Sequence, residues 1–342
     1  MVNVEDLKIE AKRILAEGKV KYVIGYGKKN SSLSAPIFIK TPEDADRLIW
    51  DPSCVHNLTR YLLDEKRRKE REKEPDERPV GIVVKGCDSR AINVLLQEKY
   101  INREHVYILG VSCEKAGVIN EKKLREYLRG KNADHIEFDG EDTFTVTTET
   151  GNIKIKTEEV LAERCLECRA NYPVIYDVLL GDKIKRDPEN PFKSLEEIES
   201  WANEKRWAFW NEWLNKCIRC YACRSVCPMC YCDECVVDTI NFAVTAETTA
   251  EEKAQKIKWI DKSTVSSENF VYHITRALHL AGRCIDCGEC ERACPLDIPL
   301  RHLNKKLEKD TKELFDYDVG FDASKPSLIS SFREEDPEDF IR

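Results

Sequence analysis

Sixteen of the 342 residues are cysteine, and most fall at spacings that suit metal ligation. The densest stretch, "CIRCYACRSVCPMCYCDEC" at 217–235, holds seven of them. Cys217, Cys220, Cys223 and Cys227 read C-x2-C-x2-C-x3-C, with Pro228 next. The same run recurs as Cys284, Cys287, Cys290 and Cys294, closed by Pro295. Three thiolates on one tight loop can reach three irons of a single cubane. A fourth, leaving on the helix that follows, points away from its own loop toward a neighbouring site. The expected ligand sets are therefore crossed. Cys217, Cys220 and Cys223 take Cys294, while Cys284, Cys287 and Cys290 take Cys227.

Paired C-x2-C units also suit a tetrahedral zinc ion. Two complete copies, each ending in proline, have the form of two-cluster ferredoxins and point to two [4Fe–4S] clusters. Eight cysteines remain. Cys87 ends the strand-like "GIVVKGC", Cys113 ends "VYILGVSC", and Cys165 and Cys168 form "CLEC". Parallel strands ending side by side bring Cys87 and Cys113 together, and a Cys-x2-Cys loop can complete a third four-thiolate set. The last four are Cys54, Cys230, Cys232 and Cys235. Counting alone makes them a possible fourth site, [4Fe–4S] or zinc, tying the N-terminal part to the C-terminal one. The alternative is that these thiols pack, or ligate with another partner.

The elements that must position these thiols change character along the chain. Residues 5–17 have the period of an amphipathic helix stopping at Gly18. "KYVIGYG" and "PIFIKT" read as strands, and "PEDADRLIW" as a short helix begun by Pro42. "PVGIVVKGCDSRAINVLLQEKY" reads strand, turn, helix. "HIEFDG", "FTVTTET" and "NIKIKT" read as antiparallel strands with turns at Asp139-Gly140 and Gly151-Asn152. From Ser194 onward the chain reads as helical, with Ser194 and Glu197 as a capping box. Trp201, Trp207, Trp210 and Trp213 read as a core or docking face. The expected fold class is an α/β N-terminal domain with a β-rich addition, followed by a mostly helical dicluster ferredoxin domain. The expected limits are 1–186 and 194–316, with 317–342 an extended tail.

Net charge is −8, from 55 Lys and Arg against 63 Asp and Glu. That balance speaks against general nucleic-acid affinity. No run approaches the ~20 apolar residues of a membrane span. The start has no apolar h-region of a signal peptide, so a cytoplasmic setting is expected, where many cysteines mean metal rather than disulfides.

"KGCDSRA…ILGVSC…CLECRANYPVIYDVLLGD" resembles the beta-subunit family of coenzyme F420 hydrogenases and dehydrogenases over residues 15–185. The C-terminal part is similar to the dicluster ferredoxin modules of heterodisulfide reductase and related complexes. The resemblance implies that Cys87, Cys113, Cys165 and Cys168 hold a [4Fe–4S] cluster beside FAD. It also implies that electrons move between a deazaflavin, flavin and iron–sulfur centres in an anaerobic oxidoreductase. The sequence departs from the family in lacking a glycine pair near its N-terminus and in placing the ferredoxin motif after the flavin-type domain. Lys85, Ser89 and Arg90, at the start of the helix after "VVKGC", suit a flavin phosphate. The other reading of this stretch is a helix capped by Asp88 with Arg90 paired to an acid on the surface. Expected partners are subunits of a hydrogenase, formate dehydrogenase or heterodisulfide reductase type complex. The alternatives are a flavin-free iron–sulfur wire and a zinc-stapled scaffold.

Overall fold

The computed structural model of the chain describes residues 2–28, 33–113, 117–185, 187–233, 235, 237, 247, 249–255, 260 and 263–331. The remainder, including the "REEDPEDF" part of the expected tail, lies outside the described residues.

Helix α1 (Val4–Ala16) is capped by Asn3, whose side chain accepts from the Glu5 amide, and ends at Gly18 with φ +65°. It covers a five-stranded sheet. The strands are β1 (Val23–Lys28), β2 (Ser34–Ile39), β3 (Val80–Val84), β4 (Val106–Val111) and β8 (Val178–Leu180). Their order across the sheet is β2-β1-β3-β4-β8. Only β2 runs antiparallel, paired with β1. β3 is buried at all five positions, as expected where both faces of a parallel sheet are covered. Helix α2 (Arg60–Arg71) precedes β3, and α3 (Gly86–Gln97) joins β3 to β4.

The β-rich addition is a meander, β5 (Ala133–Phe138), β6 (Thr143–Thr148) and β7 (Gly151–Lys156), inserted between β4 and β8. α4 (Glu121–Leu128) leads into it, and α5 (Thr157–Val160) and α6 (Glu163–Leu166) lead out. It has its own core around Phe138, Phe144 and Val146. The second turn falls two residues earlier than expected. Glu149 and Thr150 form it, and Gly151 and Asn152 already pair in β7, because Gly151 at φ +119° opens the strand.

The C-terminal part is helical: α7 (Glu196–Ser200), α8 (Asn203–Asn215), α9 (Ala222–Ser225), α10 (Ala250–Gln255), α11 (Ser266–Leu280), α12 (Glu289–Arg292) and α13 (Leu300–Phe315). The single helix expected from Ser194 is broken at Trp201 and Ala202, which are extended. Ser194 does not cap it. Its amide and hydroxyl both donate to the Glu167 carboxylate, which draws the chain back to the first domain. Of the four tryptophans, Trp213 packs against the buried cluster around Leu214, Tyr272 and Cys294. Trp201, Trp210 and Trp213 surround the half-buried Phe209, and Trp207, 58% exposed, lies against Phe270 of α11.

The two parts share one apolar core. Leu63, Ala91, Val94 and Leu95 pack with Cys227, Met229, Leu280 and Ile285. Tyr317 and Val319, at the start of the expected tail, are buried in the same cluster. Tyr100 and Tyr231 stack across the junction at 3.9 Å between ring centroids. Among the described residues no helix is long and apolar enough to cross a membrane.

Candidate metal centres

None of the sixteen cysteines is joined in a disulfide. Register explains how the first set comes together. Val84 of β3 lies opposite Gly110 of β4 in a parallel pair, so both strands end at the same edge. Cys87 follows in the first turn of α3, and Cys113 stands two residues past β4. The Cys113 amide donates to the Asn171 carbonyl (2.7 Å), which fixes the loop after Cys168 to this edge. Gly86 permits the close approach: a Cβ there would stand 1.6 Å from the Ala170 carbonyl oxygen. One cavity is lined by Cys87, Cys113, Cys165 and Cys168 together. Amides of Val118 and Ala170 point at the Cys165 and Cys168 sulfurs, both at 3.4 Å.

The two C-terminal motifs fold as copies. Arg219 (φ 55°) and Tyr221 (φ 60°) in the first match Asp286 (φ 56°) and Gly288 (φ 66°) in the second. In each, left-handed residues bend the loop before a one-turn helix, α9 or α12, carries the chain to the fourth cysteine. The fourth cysteine of the first motif, Cys227, lines one cavity with Cys284, Cys287 and Cys290 of the second. Cys294 lies near Cys217 and Cys223, close enough for each of those thiols to feel its charge, and packs in one cluster with them. Cys220 is exposed beside them in sequence.

Of the remaining thiols, Cys230, Cys232 and Cys235 line one pocket with Arg276 and His279. Cys54 is not there. It is fully buried in the core of the first sheet, where the Asp51 amide donates to its sulfur (3.5 Å). Cys54 does not line the pocket of the other three, because packing against the first sheet buries it there.

The expected phosphate residues are also spent elsewhere. Lys85 is buried, paired with Asp88 (2.9 Å), and donates to Tyr26 and to the His56 carbonyl (2.6 Å). The Ser89 hydroxyl donates to the Gly86 carbonyl (2.7 Å) and accepts from the Val174 amide (2.9 Å). Arg90 turns away from the helix N-terminus and crosses to the C-terminal part, donating to Val319 and Ile285 carbonyls and pairing with Glu308 at 2.8 Å. These side chains do not fit a flavin phosphate. They lock α3 to its surroundings: Asp88 caps the helix as the other reading expects, but the acid that Arg90 meets is buried Glu308 rather than a surface group.

Sequence reasoning missed a buried ionic layer between the thiol cavities. Arg301 grips Asp286 with two bonds of 2.7 and 2.9 Å and also pairs with Glu167. Lys305 bonds Asp286 (2.9 Å) and Glu308 (3.0 Å). Ile285 and Asp286 line both the Cys87 cavity and the Cys284 cavity, so the two are neighbours. Arg164 is a second bridge. It donates to the Val55 carbonyl (2.9 Å) and packs against Gly288. Against the lowering effect of burial, Cys165, Cys87, Glu289 and Cys287 raise its pKa. Only the clustering of Arg and Lys in "LRHLNKKLEK" hinted at such a layer.

The chemistry of the donors suits thiolate-bound metal. Among the described residues no three His, Cys, Asp or Glu side chains close around a single-ion position. The sulfurs instead ring cavities, as a cubane with one thiolate per iron requires. Burial pushes the Cys87, Cys113 and Cys290 thiols up, and Cys287 up to about 11. They are therefore protonated until a metal displaces the proton. Amide N–H groups at sulfur, and buried cations beside the cavities, compensate the negative charge of metal–thiolate groups.

An open parallel sheet with thiols at its strand ends, packed on a helical unit with a doubled cysteine loop, is an α/β protein organised around several buried thiol sets. Residues 77–199 match the family described as the C terminus of the coenzyme F420 hydrogenase/dehydrogenase beta subunit. The chain is 24% identical over 327 aligned residues to the F420-dependent formate dehydrogenase subunit beta of Methanocaldococcus jannaschii, covering 80% of this chain and 78% of that one. Against the F420-dependent formate dehydrogenase 1 subunit beta of Methanococcus maripaludis it is 24% identical over 385 aligned residues, covering 93% and 91%.

Proposed function

We propose that the protein is an iron–sulfur electron-transfer subunit of an F420-linked oxidoreductase complex, of formate dehydrogenase or a related type. The observation that carries this reading is the run of neighbouring thiol cavities. Cys87, Cys113, Cys165 and Cys168 line one. Cys227, Cys284, Cys287 and Cys290 line the next, across Ile285 and Asp286. Cys217, Cys223 and Cys294 gather beyond it, with Cys220 the fourth ligand of that set. In this reading each set holds a [4Fe–4S] cluster, which supplies one-electron transfer. The protein's part is to hold the sets near one another, exclude water and supply N–H donors to sulfur. The relatives' names support the assignment to a redox complex, with catalytic partner subunits.

A flavin is the second reading. The cleft that suits it is the open one of about 410 Å³ between α4, α6 and the Cys290 loop, because Arg164 borders both this cleft and the thiol cavities.

Anaerobic purification with iron, acid-labile sulfide, zinc and flavin assays tests these readings. About twelve irons per chain with matching sulfide is the expected result. Absence of sulfide, with zinc in its place, overturns the electron-transfer reading in favour of a zinc-stapled scaffold. Flavin released in proportion to protein establishes the second reading. Cys168→Ala is expected to remove about four irons and leave the other two sets filled.

A further inference from the structure

Arg276, on the last turns of α11, is buried at the junction of three thiol sets. It lines the cavity of Cys227, Cys284, Cys287 and Cys290, and equally the pocket of Cys230, Cys232 and Cys235. Its Nη2 donates to the backbone carbonyl of Cys223 (3.1 Å), which belongs to the remaining set. Several buried cations near these cavities have carboxylate partners: Lys85 has Asp88, Arg90 has Glu308, and Arg301 and Lys305 share Asp286, whereas Arg164 bonds the Val55 carbonyl. Among the described residues no carboxylate pairs with Arg276, and its Nε has no hydrogen-bond partner although it is buried. Burial alone would lower its pKa, yet Cys230, Cys227, Cys223 and Cys290 raise it well above the usual value.

A buried guanidinium without an anion is costly. Among the described residues, the groups around Arg276 that can carry negative charge are thiols, and they do so when metal-bound. Each reduction of a [4Fe–4S] centre adds one electron and no atoms, so the centre's charge falls by one. A fixed positive charge beside it stabilises the reduced form and raises the potential.

We propose that Arg276 is the shared counter-cation of the two centres held by the doubled cysteine loops, and that it holds their reduction potentials up together. The proposal rests on the iron–sulfur reading above. It assigns Arg276 a positioning and tuning role, with no contact to a substrate.

The test uses the full chain, purified anaerobically, with iron and sulfide counted before dithionite titration followed by electron paramagnetic resonance. Arg276→Gln keeps a donor for the Cys223 carbonyl and loses the charge, whereas Arg276→Lys keeps the charge. The Gln variant is expected to hold its full iron, with the signals of the two loop-bound centres moved to more negative potential. The centre of Cys87, Cys113, Cys165 and Cys168, which faces Arg164, is expected to stay unmoved. The Lys variant is expected to titrate as the parent does. Iron lost in the Gln variant and restored in the Lys variant supports the same dependence on charge, expressed as binding. Full iron with unmoved potentials in the Gln variant overturns the proposal, as does iron lost equally from both variants. Absence of acid-labile sulfide from the parent protein is a different failure, that of the iron–sulfur reading itself.

Discussion

Arg301 and Asp286, fifteen residues apart, form a buried two-bond pair in which Nε meets Oδ1 at 2.7 Å and Nη2 meets Oδ2 at 2.9 Å. Asp286 stands between Cys284 and Cys287 of the second cysteine loop, and Arg301 lies in the first turn of the helix that backs it. Glu167, on the first domain, closes the same network. Cutting Arg301→Met leaves Glu167 without its guanidinium in a site that water does not reach. The expected cost is about 3–5 kcal/mol. Anaerobic urea unfolding of parent and variant checks it, and an unchanged midpoint would show that the network is not what joins the domains.

Gly86 admits no side chain, because Ala170 occupies the space. Gly86→Ala is expected to push the 168–172 loop outward and to cost about 1–3 kcal/mol. Cys168 moves with that loop, so metal content is the more sensitive readout. Iron equal to the parent's would mean the loop can shift without taking Cys168 away from its set.

Cys54 is a core residue by its surroundings, whereas Cys232 is exposed at a thiol pocket. Cys54→Ala should lower stability by about 1 kcal/mol and leave iron and zinc per chain unchanged. Elemental analysis decides it; loss of metal from this variant would restore Cys54 as a ligand.

His273 gives the acid response a direction. Burial, reinforced by Arg276 and Arg219, lowers its pKa from 6.5 to about 3. The folded protein therefore keeps His273 neutral while the unfolded chain takes up a proton. Stability from this group is complete above pH 6.5 and is lost as pH falls toward 3, by about 1.4 kcal/mol per unit. His273→Phe should flatten the pH dependence of the unfolding free energy in that window relative to the parent. Identical slopes in denaturant titrations at stepped pH would refute the assignment.

The sequence made local geometry legible and long-range geometry hardly at all. The doubled C-x2-C-x2-C-x3-C-P spacing is a local constraint, so the crossing of Cys227 toward the second loop could be read from it. α1 was readable to within a residue at each end because one amphipathic period runs up to Gly18 without a break. Arg90 was misread for the opposite reason. A helix N-terminus is a general anion site, and only tertiary packing reveals that this arginine reaches Glu308, more than two hundred residues away. The partner that withdrew Ser194 from capping, Glu167, is likewise distant in sequence. Cys54 was assigned by arithmetic, which carries no distance.

The exchange of fourth cysteines between the two loops has a consequence for how the chain is made. Cys217, Cys220 and Cys223 leave the ribosome well before Cys294 exists, and Cys227 must wait for Cys284, Cys287 and Cys290. Neither half can be finished while its counterpart is still untranslated. In the proposed iron–sulfur reading, filling of the pair is therefore a single late event, which follows synthesis of the second loop.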